Sequence, residues 1–165
     1  MIQNRKMIFA VGVAFAALAV CMSLFIRVSY LVILDNYDGT ILLRERKSEG
    51  ESFSISFIHS VNQSPVIETY QIINGQIVLT TLEFETFGAG MPTELEQGQS
   101  LTRLPNGNMF IEGIDRNVGN FYYAIGHNYS LAINFGERQI PFDSFDATGQ
   151  MIFIAYRQLN IWQRI

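Results

Sequence analysis

With 165 residues, a formal net charge of −4 and a pI near 5.1, the chain has room for one ordinary domain and carries no basic stripe able to displace phosphate counterions, which argues against a nucleic-acid partner. Cys21 is the single cysteine, so neither an internal disulfide nor a cysteine metal site can form. His59 and His127 are the only histidines and have no ligand-like spacing, so no metal and no cofactor is expected.

The N-terminal part is not globular in character. Met7 to Ile26 is a run of twenty uncharged residues between Arg5-Lys6 and Arg27. As a helix it is about 30 Å long, the thickness of a bilayer hydrocarbon core. It reads as an uncleaved single-pass anchor, with residues 1–27 as cytoplasmic tip and membrane helix. Two alternatives stay open. Ala17-Leu18-Ala19 resembles a signal cleavage site, and Leu18-Ala19-Val20-Cys21 partly resembles a lipobox, with Val20 where a small residue is normal. Arg5, Lys6 and the terminal amine favour a cytoplasmic N-terminus at a bacterial inner or cytoplasmic membrane. Residues 28–165 then form an extracytoplasmic domain.

That domain is rich in strand signals. Val28 to Leu34 and Ile41 to Lys47 flank Asp38-Gly39, a type I′ hairpin pair. Arg44, Arg46 and Lys47 lie among Glu45 and Glu49 and read as a solvated strand edge. Ser52 to His59 alternates, with Phe53, Ile55, Phe57 and His59 on one face, so the histidine ends an apolar stripe. Val66 to Ile73 and Gln76 to Phe84 flank Asn74-Gly75, a second type I′ signal. Phe87-Gly88-Ala89-Gly90-Met91-Pro92 then breaks the pattern, and Thr93 to Gln99 reads as an exposed loop, a candidate flap.

Ser100 to Leu104 and Met109 to Ile114 form a hairpin across Pro105 to Asn108, and Gly113 to Asn117 reads as a turn. Asn120 to Ile125, Ser130 to Phe135, Arg138 to Phe142 and Met151 to Leu159 complete the set, with one helical turn allowed between Pro141 and Ala147. About ten short strands with turn signals every eight to twelve residues predict an all-β antiparallel sandwich or small barrel.

For chemistry, His59 beside a carboxylate is the natural general acid–base pair, and Glu68 is the carboxylate within reach if the two runs pair in that register. Ser60 completes a conceivable Ser-His-Glu set. As a strand neighbour of His59, however, it faces the other way, and no G-x-S-x-G elbow exposes it. Gly88-Ala89-Gly90 lacks the lysine and following helix of a phosphate loop. Tyr122, Tyr123 and Tyr129 can line a binding face. Glu83, Glu85, Glu94 and Glu96 lack the loop pattern of a calcium site.

Phe57-Ile58-His59-Ser60-Val61, Pro65-Val66 with Glu68, Glu85 through Pro92, and Gly113-Ile114-Asp115-Arg116 together resemble the signature of a small bacterial family of unknown function. Asp115 departs from that pattern, which commonly has Asn. The resemblance implies an N-terminal membrane segment and a gene beside the fused permease of TRAP-type transporters of the TAXI subclass. It implies a partner, the permease or the solute-binding subunit, and carries over no catalytic residue. The expected partner or ligand surface comprises His59, Ser60, Glu68, Phe87, Gly88, Gly90, Pro92, Asp115 and Arg116. The expected function is an anchored accessory or interaction module of a solute transporter; the alternative is a small-ligand-binding domain or a hydrolase-like enzyme using His59 and Glu68.

Overall fold

A computed structural model describes residues 2–88, 91–92, 94–126, 130–145 and 150–160, with side chains described from 12 to 159 within those ranges. Helix α1 (Ile2–Ser23) closes with tight turns, in which Leu24, Phe25 and Ile26 donate to the carbonyls of Cys21, Met22 and Ser23. Strand β1 (Arg27–Asp35) begins immediately afterwards. Among the described residues no helix is long and apolar enough to cross a membrane. The expected span from Met7 to Ile26 begins among residues whose side chains lie outside the described set.

The strands that follow are β2 (Ile41–Arg46), β3 (Ser52–Ile58), β4 (Pro65–Ile73), β5 (Gln76–Phe84), β6 (Ser100–Arg103), β7 (Met109–Asn117), β8 (Phe121–Ala124), β9 (Ala132–Phe135), β10 (Arg138–Pro141) and β11 (Met151–Asn160). A four-stranded sheet has the order β2-β1-β11-β8, and a seven-stranded sheet the order β10-β9-β3-β4-β5-β7-β6. All the pairs are antiparallel. Among the described residues no strand pairs from one sheet to the other, so the fold is a sandwich of two open sheets rather than a closed barrel.

Alternation decides what lies between the sheets. Leu31 and Ile33 of β1 and Ile152 and Ile154 of β11 meet Phe53 and Ile55 of β3, Tyr70 and Ile72 of β4, and Ile133 of β9. A second core forms on the large sheet from Val66, Leu82, Phe84 and Ile111, with Phe57, Met91, Met109 and Ile114 packed against it. The sandwich is also closed along one side by charge. Arg138 of β10 pairs with Glu45 of β2, and Arg138 and Lys47 both sit over the Phe135 ring, at 5.3 and 5.2 Å. Arg44 and Arg46 are exposed on edge strand β2, as expected of a solvated edge, but Lys47 is buried and joins the two sheets by a cation–π contact with Phe135.

Two sequence expectations change at turns. Asn74 (φ 52°) and Gly75 (φ 70°) both take positive φ, as a type I′ turn requires, and the Glu49 carboxylate accepts from both of their N–H groups. At the first hairpin only Gly39 (φ 73°) does so, and the Asp35 carbonyl accepts from its N–H across a longer loop. Gly113 to Asn117 is not a turn but a bulge inside β7: Glu112 faces Thr81 while Arg116 faces Leu79, leaving Gly113, Ile114 and Asp115 opposite Thr80. Gly113 (φ 73°) and Asp115 (φ 45°) supply the bend, which lets pairing resume beyond it. The one helical turn forms at Phe142–Phe145.

Candidate functional site

The loop after β3 is built around its histidine. The His59 N–H donates to the Ser64 carbonyl at 2.8 Å and the Gln63 N–H to the His59 carbonyl at 2.9 Å, closing the loop on itself. The ring then turns inward on the loop: Nδ1 accepts from the backbone N–H groups of Val61 and Asn62, both at 3.2 Å. With Nδ1 an acceptor, the proton of the neutral ring sits on Nε2.

A second loop docks on the first through Asn62. Its amide donates to the Thr86 carbonyl at 3.2 Å, and it fills the space that a Cβ on Gly88 would take. The Gly88 carbonyl accepts from the Met91 N–H at 3.0 Å, and Met91 enters the second core. Phe87 leans edge-on against buried Phe84, with centroids 5.2 Å apart, and stays 47% exposed; Val61 is 65% exposed. Two apolar side chains thus flank the Asn62–Gly88 contact. Pro92 is half-buried, and Gly90 lies outside the described residues.

Beside these loops a cavity of about 260 Å³ opens between the end of β3 and the edge strand β8, lined by Phe57, His59, Ser60, Tyr123, Ala124 and Leu131 among others. Its position along the sandwich follows from register. Tyr123 is opposite Ile152, which is opposite Asp35. The cavity therefore lies at the Asp35 end of β1, and nine residues of strand, about 27 Å of rise, separate it from Arg27 and the helix.

Glu68 is inside the sandwich, opposite Ile55 on β3 and Leu82 on β5. Its Oε2 accepts from the Tyr70 hydroxyl at 2.8 Å and the Tyr123 hydroxyl at 3.2 Å. Tyr123 comes from the other sheet, so this carboxyl ties the two layers. Burial pushes the Glu68 carboxyl above its ordinary range, against the two phenolic hydrogen bonds, which favour the charged form. Burial, and then the Glu68 charge, push both phenols up. Tyr70 is further held by stacking on Phe53 and Phe121, each at 5.2 Å.

The expected His59–Glu68 dyad is not formed. Pairing sets Ile58 against Pro65 and Ile55 against Glu68, so the two residues are displaced by four positions, about 13 Å along the strands. They meet only indirectly, through Tyr123, which lines the cavity with His59 and bonds Glu68. Ser60 is exposed at the cavity rim. Asp115 and Arg116 belong to the β7 bulge, where Arg116 is opposite Leu79, while Phe84 marks the His59 end of β5. Arg116 instead pairs with Glu96 at 3.4 Å, and a Cβ on Gly113 would meet the Gly98 carbonyl, so residues 94–99 lie along the bulge. Glu83, considered for calcium, accepts from the side chains of Asn106 and Asn108. Among the described residues no group of three or more His, Cys, Asp or Glu is placed to hold a metal ion.

Of the aromatic residues considered from sequence, Tyr122 packs outward on Phe153 and Tyr129 lies outside the described residues. Sequence reasoning missed Tyr70, although a tyrosine two positions after a glutamate on an apolar face supplies the donor that a buried carboxyl needs.

The architecture is that of a two-sheet antiparallel β-sandwich with the His59 loop and Gly88 at one end and the Gly113–Asn117 bulge away from them. The sequence profile of the family described as a domain of unknown function, DUF1850, matches residues 53–142, more than half of the chain, and the chain belongs to that family. No curated protein and no solved structure matches it.

Proposed function

We propose that this DUF1850 protein is a membrane-anchored interaction module whose β-sandwich binds a subunit of a TRAP/TAXI-type solute transporter on the extracytoplasmic side. The anchor reading rests on the uncharged run from Met7 to Ile26 and on a helix whose side chains from residue 12 onward are apolar around its circumference and exposed, Phe15 at 74% and Met22 at 64% among them. Such a helix has no polar face to turn toward water. Only Leu24, Phe25 and Ile26 separate it from β1, and the loop-bearing end of the sandwich is the one opposite Arg27.

The observation that carries the binding reading is the docked pair of loops at that end. Asn62 joins the His59–Ser64 loop to Thr86 and Gly88, and Val61 and Phe87, the neighbours of Asn62 and Gly88, remain exposed. Apolar and aromatic side chains on a fixed backbone are what protein interfaces use as anchors. The transporter as partner is what the signature motifs imply.

The test is co-purification of the full chain with the neighbouring permease and solute-binding subunits. Enrichment over an anchor-only control supports the reading. Val61→Asp with Phe87→Asp should reduce recovery at least tenfold while leaving membrane content unchanged. Equal recovery with the anchor alone would sink it.

A further inference from the structure

The cavity beside β8 has a chemistry of its own, independent of any protein partner. Its walls are rings and aliphatic groups from Phe57, Tyr123 and Leu131, with the backbone of Ala124 along the edge strand. The Tyr123 hydroxyl donates its hydrogen to Glu68. Val61 and Asn62 occupy Nδ1 of His59, which leaves Nε2–H as the one ring donor, with no partner among the described residues. Ser60 adds a hydroxyl at the rim. None of the described lining residues is lysine or arginine, so a carboxylate or phosphate entering here would lose its hydration without a countercharge. The electrically neutral choice is a ligand with an apolar body and a single acceptor.

We infer that the cavity is a binding site for a small uncharged apolar molecule bearing one carbonyl-type acceptor, which takes the hydrogen bond from His59 Nε2–H. Size sets the class further. A cavity of about 150 Å³ accommodates benzene, so 260 Å³ accommodates an aryl ketone or amide of about ten non-hydrogen atoms. Because Tyr123 is both a cavity wall and the inter-sheet donor to Glu68, a bound ligand packs directly on the element that ties the two layers.

Acetophenone is the probe, titrated into the full chain in lipid nanodiscs with its histidines labelled with ¹³C and ¹⁵N. His59 is told from His127 by a His59→Gln variant. The free protein should show the Nε2–H tautomer at His59. Acetophenone should move its Nε2 signal saturably, with an apparent Kd at least tenfold lower than that of benzoate, which is charged, or ethylbenzene, which has no acceptor. Ser60→Phe, a change at an exposed residue on the cavity rim, should abolish the shift while preserving the tautomer signature. An Nδ1–H tautomer, no saturable shift, equal response to benzoate, or an unchanged response in Ser60→Phe overturns the inference. None of these outcomes depends on the transporter reading.

Discussion

The Asn62 side-chain amide occupies the position that a Cβ on Gly88 would take, and it is held there by its hydrogen bond to the Thr86 carbonyl. Glycine at 88 is therefore required by a neighbour rather than by backbone conformation, since its φ is not in the left-handed region. Gly88→Ala should destabilise the domain by about 1–2 kcal/mol, the usual cost of overpacking a filled site. Asn62→Ala should cost about 1 kcal/mol for its lost hydrogen bond. The double variant should cost less than the sum, because each change relieves the clash or vacancy of the other. Urea unfolding followed by near-ultraviolet circular dichroism measures all three; strict additivity would show that the two loops are not coupled.

Glu68 makes stability depend on pH in a defined direction. Its folded-state pKa is raised above the ordinary 4.5, so above that pH the native state retains a proton that the unfolded state has released. The Glu68 contribution is fully present below pH 4.5, falls as pH rises through the folded value, and is level beyond it. Glu68→Gln keeps an oxygen acceptor and removes the titration. Its unfolding free energy relative to wild type should therefore improve between pH 4 and pH 8. A difference that is flat with pH would place the carboxyl in contact with water.

The two phenols share one carboxyl oxygen, so their effects are coupled. Tyr123→Phe and Tyr70→Phe should each cost about 1–2 kcal/mol, and their combination should depart from additivity by at least about 0.5 kcal/mol. Tyr123→Phe should also push the Glu68 carboxyl further up, because a donor that favours its charged form is gone. A ¹³C-carboxyl titration of glutamate-labelled protein reads that displacement.

Gly113 and Gly107 both have positive φ, at 73° and 94°, but only Gly113 faces backbone, the Gly98 carbonyl. Alanine at 107 should cost about 1–2 kcal/mol for the left-handed conformation alone. Gly113→Ala should cost more, and it should speed hydrogen exchange in residues 94–99, which lie along the bulge. Equal costs at the two positions would remove the close approach from the explanation.

The strand content, most strand limits, the Asn74-Gly75 turn and the short tether between helix and domain were legible in the chain, because period-two alternation and turn chemistry are local properties. The face carrying Phe53, Ile55 and Phe57 was readable for the same reason, as was His59 at its end. Local pattern misread Gly113 to Asn117 as a turn, since positive φ serves a bulge as well as a reversal. It misread Lys47 as solvated, since the Phe135 ring that covers it comes from a distant strand.

Sequence alone thus determined which residues alternate into a core and where the chain bends. Register and layer packing decided the rest. A shift of four residues separates His59 from Glu68, and the meeting of two sheets gives Glu68 its two phenols and gives His59 a cavity wall made by Tyr123. The hydrogen bonds to Glu68 join residues up to 55 positions apart, and their geometry depends on how the faces of the two sheets meet, which no run of neighbouring residues encodes.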